Sequence, residues 1–289
     1  MRDAIIDGGG EVVTVDRAEG VVWAEPRGGD HLRSLLAQHR AIRWIQLPWA
    51  GVEPFAGVFD HDHLWTSGKG VYAEPVAEHV LMLALAGMRG LATYARAHTW
   101  EPPQGRNLFG ASVLILGAGG ICDSLIGLLA PFGCSVTVVR RQTATRVDGA
   151  AATIGLDQLD DALPHADLVV VALALTAETT GLIDARRLHL MKPTAWLVNL
   201  GRGGHVITDD LVEALATGTV GGAALDVTEP EPLPDGHPLW TEPRCIITPH
   251  VGNTPEMAQP LLKARVSENV RRFGRGEPLI GVVDPDTGY

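Results

Sequence analysis

From residue 108 onward, short apolar runs alternate with amphipathic stretches. The runs at 113–116, 136–139, 168–173, 195–200, 223–227 and 246–248 are apolar almost throughout, the mark of strands buried on both faces. Between several of them apolar residues recur at helical spacing, as in 121–130 and 209–216. This rhythm predicts an α/β fold with a parallel sheet covered on both sides. Residues 1 to about 97 have a different texture, with short strands at 21–23 and 44–46 and a helical piece at 32–38. One long apolar helix is expected over 74–89, with Pro75 near its first turn. Residues 100–106 are polar, hold Pro102 and Pro103, and read as a crossover between domains. A last helix, from Pro255 to about Phe273, should return the chain to the first region. The expected organisation is therefore one domain of residues 1–97 plus about 270–289, and a second of 98–269.

A length of 289 residues is enough for two domains, each with its own core. With 46% hydrophobic and 20% charged residues the chain has the balance of a globular enzyme. The formal net charge of −11, without any block of lysine and arginine, argues against a nucleic-acid partner. Cys122, Cys134 and Cys245 are odd in number and form no CxxC pair, which fits a reducing compartment and predicts no metal site. The N-terminal residues lack an apolar signal core, and the longest apolar stretch, 80–88, is too short to span a bilayer. A cytoplasmic protein without a membrane partner is expected.

The run 113–116 leads into Gly117-Ala-Gly-Gly-Ile-Cys122, after which the chain turns helical. This is the strand–turn–helix opening of a dinucleotide-binding unit. Gly117 would allow the tight turn, and Gly119 would let the backbone approach a pyrophosphate at the positive end of the helix. Cys122 stands where the fingerprint has its third glycine. The next strand ends at Arg140 and Arg141, where an acidic side chain usually binds the ribose 2′-hydroxyl of NAD. Two arginines would instead pair with a 2′-phosphate, so NADP(H) is expected to be preferred, with NAD(H) possible.

Three later segments carry chemistry at strand ends. Arg202 is flanked by glycines in 197–204, and its guanidinium could grip a carboxylate through two parallel hydrogen bonds. Glu231 lies in 224–234, and His250 follows the run at 246–248. Each has an ordinary alternative. His250 is one of 11 histidines, Glu231 sits in a proline- and acid-rich loop beside Glu229, and Arg202 could pair with a structural carboxylate.

The segments Tyr72-Ala-Glu-Pro-Val-Ala-Glu-His79, Gly117-Ala-Gly-Gly-Ile121, Asn199-Leu-Gly-Arg-Gly203, Ala224-Leu-Asp-Val227 with Glu231-Pro-Leu-Pro234, and Thr248-Pro-His250 occur in one order along nearly the whole chain. In these residues the chain resembles the D-isomer-specific 2-hydroxyacid dehydrogenases, near their glyoxylate/hydroxypyruvate reductase branch. The resemblance implies two Rossmann-like or flavodoxin-like domains with parallel sheets and an active site in the cleft between them. It implies a catalytic trio of Arg202, Glu231 and His250, and a loop of Ala50, Gly51 and Val52 whose N–H groups hold the substrate carboxylate. It further implies cofactor contacts at Gly117, Gly119, Gly120, Ile121, Arg140, Arg141, Ala172, Leu173, Thr179 and Asp226. Asp226 is expected as support or tuning for the site rather than as a proton donor. The chemistry suits these types. Reducing a 2-keto acid needs a hydride at C2 and a proton on the carbonyl oxygen, which histidine can give near neutrality. Glu231 would orient the ring, and Arg202 would hold the acid and polarise its carbonyl. The implied partners are a small 2-keto or 2-hydroxy acid and a second copy of the chain, as a homodimer.

The chain departs from the family at Cys122, at Ala174, where a proline is common, and in its short first region. Trp49, in the carboxylate loop, either narrows the pocket or packs in the core. Two other readings stay open. A phosphite-type dehydrogenase on the same fold keeps a histidine and glutamate pair, whereas the formate branch has glutamine where Glu231 stands. A nucleotide-sensing, corepressor-like binding protein is the alternative outside enzymes.

Overall fold

Two separate sheets organise the chain, one of three strands and one of seven, and every strand pair in both is parallel. The computed structural model describes residues 1–25 and 28–286. It divides into a smaller unit, Met1–Tyr72 with Thr254 onward, and a larger unit, Ala73–Asn253.

The smaller unit begins with helix α1 (Arg2–Asp7), strand β1 (Gly20–Val22) and helix α2 (Gly29–Gln38), followed by β2 (Trp44–Gln46) and β3 (Leu64–Thr66). Its sheet has the order β1-β2-β3. The middle strand is buried at every position, and Ile45 packs with Trp23, Leu32, Phe55 and Trp65 in one core. Burying each such side chain contributes about 1.5–3 kcal/mol.

The larger unit starts with α3 (Ala73–Met88) and α4 (Leu91–Arg96) and continues through β4 (Ser112–Leu116), α5 (Gly120–Leu129), β5 (Ser135–Val139) and β6 (Ala152–Ile154). There follow α6 (Leu159–Ala162), β7 (Leu168–Val171), α7 (Ala185–Leu190), β8 (Trp196–Asn199), α8 (Thr208–Thr217), β9 (Gly222–Leu225) and β10 (Cys245–Ile247). The sheet order is β10-β9-β8-β7-β4-β5-β6. The chain runs outward from β4 through β6, then restarts on the other side of β4 with β7. That reversal opens a crevice outside the carboxyl ends of β4 and β7. Strand residues alternate between two cores. Leu114, Leu116, Val169 and Leu197 face Leu188, Leu211 and Leu215, while Val113, Ile115, Val170 and Val198 face Val80, Leu83 and Leu125. Two-sided burial explains why these strands are continuous apolar runs.

The unit boundaries fall at 72/73 and 253/254, where sequence texture suggested about 97 and 269. The cause is α3. Its buried face of Ala77, Val80, Leu83, Ala84 and Met88 belongs to the core of the larger sheet. A Cβ on Gly87 would lie 2.3 Å from the Trp196 ring, so α3 sits directly on β8. The proline-rich segment 100–106 is likewise no crossover between units but part of the larger one. Arg106 N donates to Met88 O at 2.6 Å and its guanidinium donates to Thr194 Oγ1 at 2.7 Å. The final helix, α9 (Pro255–Arg275), lies wholly in the smaller unit and packs on α1. Its buried Asn269 donates to Gln46 Oε1 and to Ile280 O, each at 2.9 Å.

Candidate active site

A parallel sheet brings the carboxyl ends of all its strands to one edge. In the larger unit Gly117 follows β4, Arg140 follows β5, Ala172 follows β7, Arg202 follows β8, Asp226 and Glu231 follow β9, and His250 follows β10. Residues scattered over more than 130 positions of sequence thus share one rim.

The end nearest β10 is built on Asp226. This carboxylate is buried, and both oxygens are engaged. Oδ1 accepts from Thr248 Oγ1 at 2.6 Å and from Val251 N at 2.9 Å, while Oδ2 accepts from Gly252 N at 2.9 Å. His79 Nε2, from α3, lies 3.4 Å from Oδ1 and 3.0 Å from Thr248 Oγ1. Burial pushes the Asp226 carboxyl up, but the hydrogen bonds from His79, Thr248 and the two amides outweigh it and hold the group down at about 2. Asp226 is therefore ionised near neutrality and has no proton to give. It clamps the turn that carries His250.

His250 has φ 53°, the left-handed region that costs a residue with a side chain about 1–2 kcal/mol. Its amide donates to Asp226 O at 2.8 Å, and the next two amides end on the Asp226 carboxylate. Both the main chain and the side chain of Asp226 thus hold this backbone. The ring projects into partly exposed space, where Nδ1 lies 2.8 Å from Glu231 Oε1. Of the two glutamates in the β9 loop, it is Glu231 that meets the histidine. The carbonyl of Glu229 accepts from Thr208 Oγ1 at 2.5 Å.

Arg202 stands on the adjoining loop beyond β8. Buried Asn199 shapes this loop, donating from Nδ2 to Arg202 O at 2.9 Å and accepting at Oδ1 from Gly201 N at 3.1 Å. Arg202 N donates to Nδ1 of buried His205 at 3.1 Å, and burial pushes that imidazole below its ordinary value. A Cβ on Gly203 would lie 1.9 Å from Thr228 O, so the Arg202 loop lies flush on the loop that leads to Glu231. The structure brings His250 and Glu231 into contact and sets Arg202 on the neighbouring loop.

The crevice between β4 and β7 fits a dinucleotide. Gly117 has φ 115°, and a Cβ there would lie 2.5 Å from Ala172 O, so only glycine suits this crossing. A Cβ on Gly119 would meet nothing within 4 Å, which leaves its backbone open to a ligand at the start of α5. Gly120 and Ile121 form the first turn of that helix. Cys122 is fully buried among the residues between α5 and β4, so a thiol fills the third glycine's place; burial pushes it up to about 12. Arg140 and Arg141 follow β5, the second of them exposed. Ala172 and Leu173 lie just beyond β7, which ends at Val171 and not at 173. Thr179 uses its hydroxyl within the loop, donating to Ala174 O and accepting from Thr176 N, both at 2.8 Å. This tie secures the turn where proline is absent.

Ala50, Gly51 and Val52 belong to the smaller unit, in the loop after β2. Val52 is buried, and Tyr72 Oη donates to Pro48 O at 2.7 Å. Trp49 is 36% exposed and stands beside Tyr72, with ring centroids 6.3 Å apart, so it is not a core residue. Among the described residues no group of three or more His, Cys, Asp or Glu is placed to hold a metal. Nor is any helix among them long and apolar enough to cross a membrane. The supporting roles of His79, Asn199, His205 and Thr248 were not anticipated. Three of these four lie in the quoted motifs, which was the only signal available.

Comparison with known proteins gives the same picture. Residues 79–252 match the model for the NAD binding domain of D-isomer specific 2-hydroxyacid dehydrogenases. An uncharacterized protein from the proB 3′ region of Corynebacterium melassecola is 40% identical over 86% of this chain and 84% of its own length. Glyoxylate/hydroxypyruvate reductase A of Photorhabdus laumondii is 30% identical over 93% of this chain and 87% of its own. The crystal structure of a D-isomer specific 2-hydroxyacid dehydrogenase from Xanthobacter autotrophicus, in complex with NADPH and MES, superposes with a TM-score of 0.82. It is 30% identical, covering 96% of this chain and 87% of that one. With its ordered motifs, its doubly wound sheet and this match over more than half its length, the chain belongs to the D-isomer specific 2-hydroxyacid dehydrogenases, a family of NAD(P)-dependent oxidoreductases acting on small 2-hydroxy and 2-keto acids.

Proposed function

We propose that this dehydrogenase works as an NADP(H)-preferring reductase of a small 2-keto acid of the glyoxylate or hydroxypyruvate type. The observation that carries the reading is the 2.8 Å contact between His250 and Glu231 on the rim that also bears Arg202. In this reading His250 gives a proton to the substrate carbonyl oxygen as C2 is reduced, and takes it back in the reverse direction. Glu231 holds the ring through Nδ1, which leaves Nε2 to face the substrate. Arg202 binds the carboxylate and polarises the carbonyl. The amides of Ala50, Gly51 and Val52 are further carboxylate donors, a part drawn from the family resemblance.

Gly117, Gly119, Gly120 and Ile121 would hold the pyrophosphate, with Ala172, Leu173 and the Thr179 turn across the crevice. Arg140 and Arg141 would pair with a 2′-phosphate, which supports NADPH over NADH. The NADPH complex of the Xanthobacter relative supports the same choice. The nicotinamide, when bound, supplies the hydride. A homodimer and a cytoplasmic location complete the reading. Exposed Leu91, Trp100 and Phe109, on the segment before β4, support the first. Three cysteines without disulfides support the second.

The test is the initial rate of reduced-cofactor oxidation with glyoxylate and hydroxypyruvate, run in parallel with NADPH and NADH. Fast turnover confined to NADPH is the expected result. A preference for NADH overturns the cofactor assignment alone. No turnover of either acid, with phosphite-dependent reduction of NADP instead, overturns the reductase reading.

A further inference from the structure

We infer that His79 is a positioning residue for the reaction, holding a directed chain of hydrogen bonds through Thr248 to Asp226 that fixes the backbone on which His250 stands. Its catalytic consequence rests on the reductase reading. The direction of the chain follows from counting protons. Thr248 has one hydroxyl proton, and at 2.6 Å it donates that proton to Asp226 Oδ1, an ionised carboxylate that can only accept. The contact of 3.0 Å between Thr248 Oγ1 and His79 Nε2 must then be one that Thr248 accepts. Nε2 of His79 therefore carries a hydrogen, which also faces Asp226 Oδ1 at 3.4 Å. The imidazole is mostly buried, at 14% exposure, and stands on α3, whose neighbouring Ala77, Val80 and Leu83 are locked into the core. A donor on so rigid an element holds the threonine proton on the carboxylate.

The far end of the chain is the His250 turn. Asp226 grips the amides of Val251 and Gly252, and its carbonyl takes the amide of His250. A left-handed residue depends on that grip. Without the His79 donor, Thr248 Oγ1 loses the contact that ties it to α3 and Asp226 Oδ1 loses the donor 3.4 Å away, so the clamp on the turn is weakened. The turn can then relax and carry the His250 ring away from its working position. Small displacements of a proton donor reduce turnover while leaving the cofactor crevice, at β4 and β7, untouched.

The test compares the parent with His79→Leu, which keeps bulk without a donor, and His79→Gln, whose amide restores an N–H near Nε2. Steady-state constants and thermal midpoints are measured for each, with Thr248→Val alone and combined with His79→Leu. His79→Leu should lower kcat about tenfold, the effect of one lost hydrogen bond, with KM for NADPH changed less than about twofold. His79→Gln should recover most of kcat, and the double variant should be little worse than either single one. Unchanged kcat in His79→Leu, or equal losses in the leucine and glutamine variants, would overturn the inference. If the parent reduces no 2-keto acid, the reductase reading fails by itself. The hydrogen-bond chain is then judged by ¹⁵N NMR of the His79 imidazole. The Nε2–H tautomer sustains it, and the Nδ1–H tautomer overturns it.

Discussion

Replacing Asp226 by asparagine removes one charge while keeping the shape of a side chain with three close donors. The amide oxygen can still serve Thr248 Oγ1 and Val251 N on the Oδ1 side. Its NH2 then faces the N–H of Gly252 across 2.9 Å, two donors opposed in a buried site. The reverse orientation sets the NH2 against two donors and is worse. Losing a hydrogen bond to a charged acceptor and stranding a buried donor amounts to about 3 kcal/mol. A second figure comes from proton linkage. A carboxyl held at about 2 against an ordinary 3.8 contributes about 2 kcal/mol to folding near neutrality. Because the folded value is the lower one, this stability is full above pH ~4 and fades as pH falls, with about half gone by pH 3. Urea unfolding of parent and Asp226→Asn, followed by circular dichroism from pH 7 to pH 3, measures both. The variant should be about 2–3 kcal/mol less stable at pH 7, with the gap narrowing below pH 4. A gap under about 0.5 kcal/mol at pH 7, or one that stays constant down to pH 3, would refute the reasoning.

Gly203→Ala should abolish most turnover and lower the thermal midpoint by several degrees, because its Cβ would be driven into Thr228 O; normal kcat would mean that the two loops are not held together as described. Gly117→Ala, strained by its φ and blocked by Ala172 O, should weaken NADPH at least about tenfold in a fluorescence titration, and unaltered binding would count against the crevice as the nucleotide site. Exchanging Arg140 and Arg141 together for neutral residues should raise the Kd for NADPH much more than that for NADH; equal effects would remove the 2′-phosphate role. His250→Ala should cut kcat by about 10²–10⁴, and undiminished keto acid reduction would end its assignment as proton donor.

Much of the larger unit is legible in sequence because its strands are buried on both faces. Val113 to Leu116 and Leu168 to Val171 leave no polar position to blur the pattern. Strands β3 and β6 are harder to see. Each has three residues, Leu64 is exposed, and β6 is half-buried at every position, so neither alternates clearly. The boundary at Tyr72 was hidden for a different reason. The apolar pattern of α3 shows that it is buried but not which sheet it covers. The site divides in the same way. Glycines and strand-end residues are visible as motifs, and Gly117 and Glu231 stand where the motifs put them. The link from His79 to Thr248 and Asp226 joins residues far apart in sequence by hydrogen bonds, which have no period. His250's left-handed backbone is equally silent, since the neighbouring residues give no sign of it.

The strand order has a consequence for redesign. Between the end of β5, which carries Arg140, and the end of β10, which precedes His250, lie five strand spacings, or about 24 Å. Substitutions that far apart, with no side chain shared between them, combine additively in folding free energy. On the proposed reading, the groups for coenzyme choice and for proton handling therefore sit at opposite ends of one sheet edge, where their effects on folding stability are independent. A switch from one coenzyme to the other would be made at the β5 end, and its cost in stability would add simply to that of changes made at the β10 end.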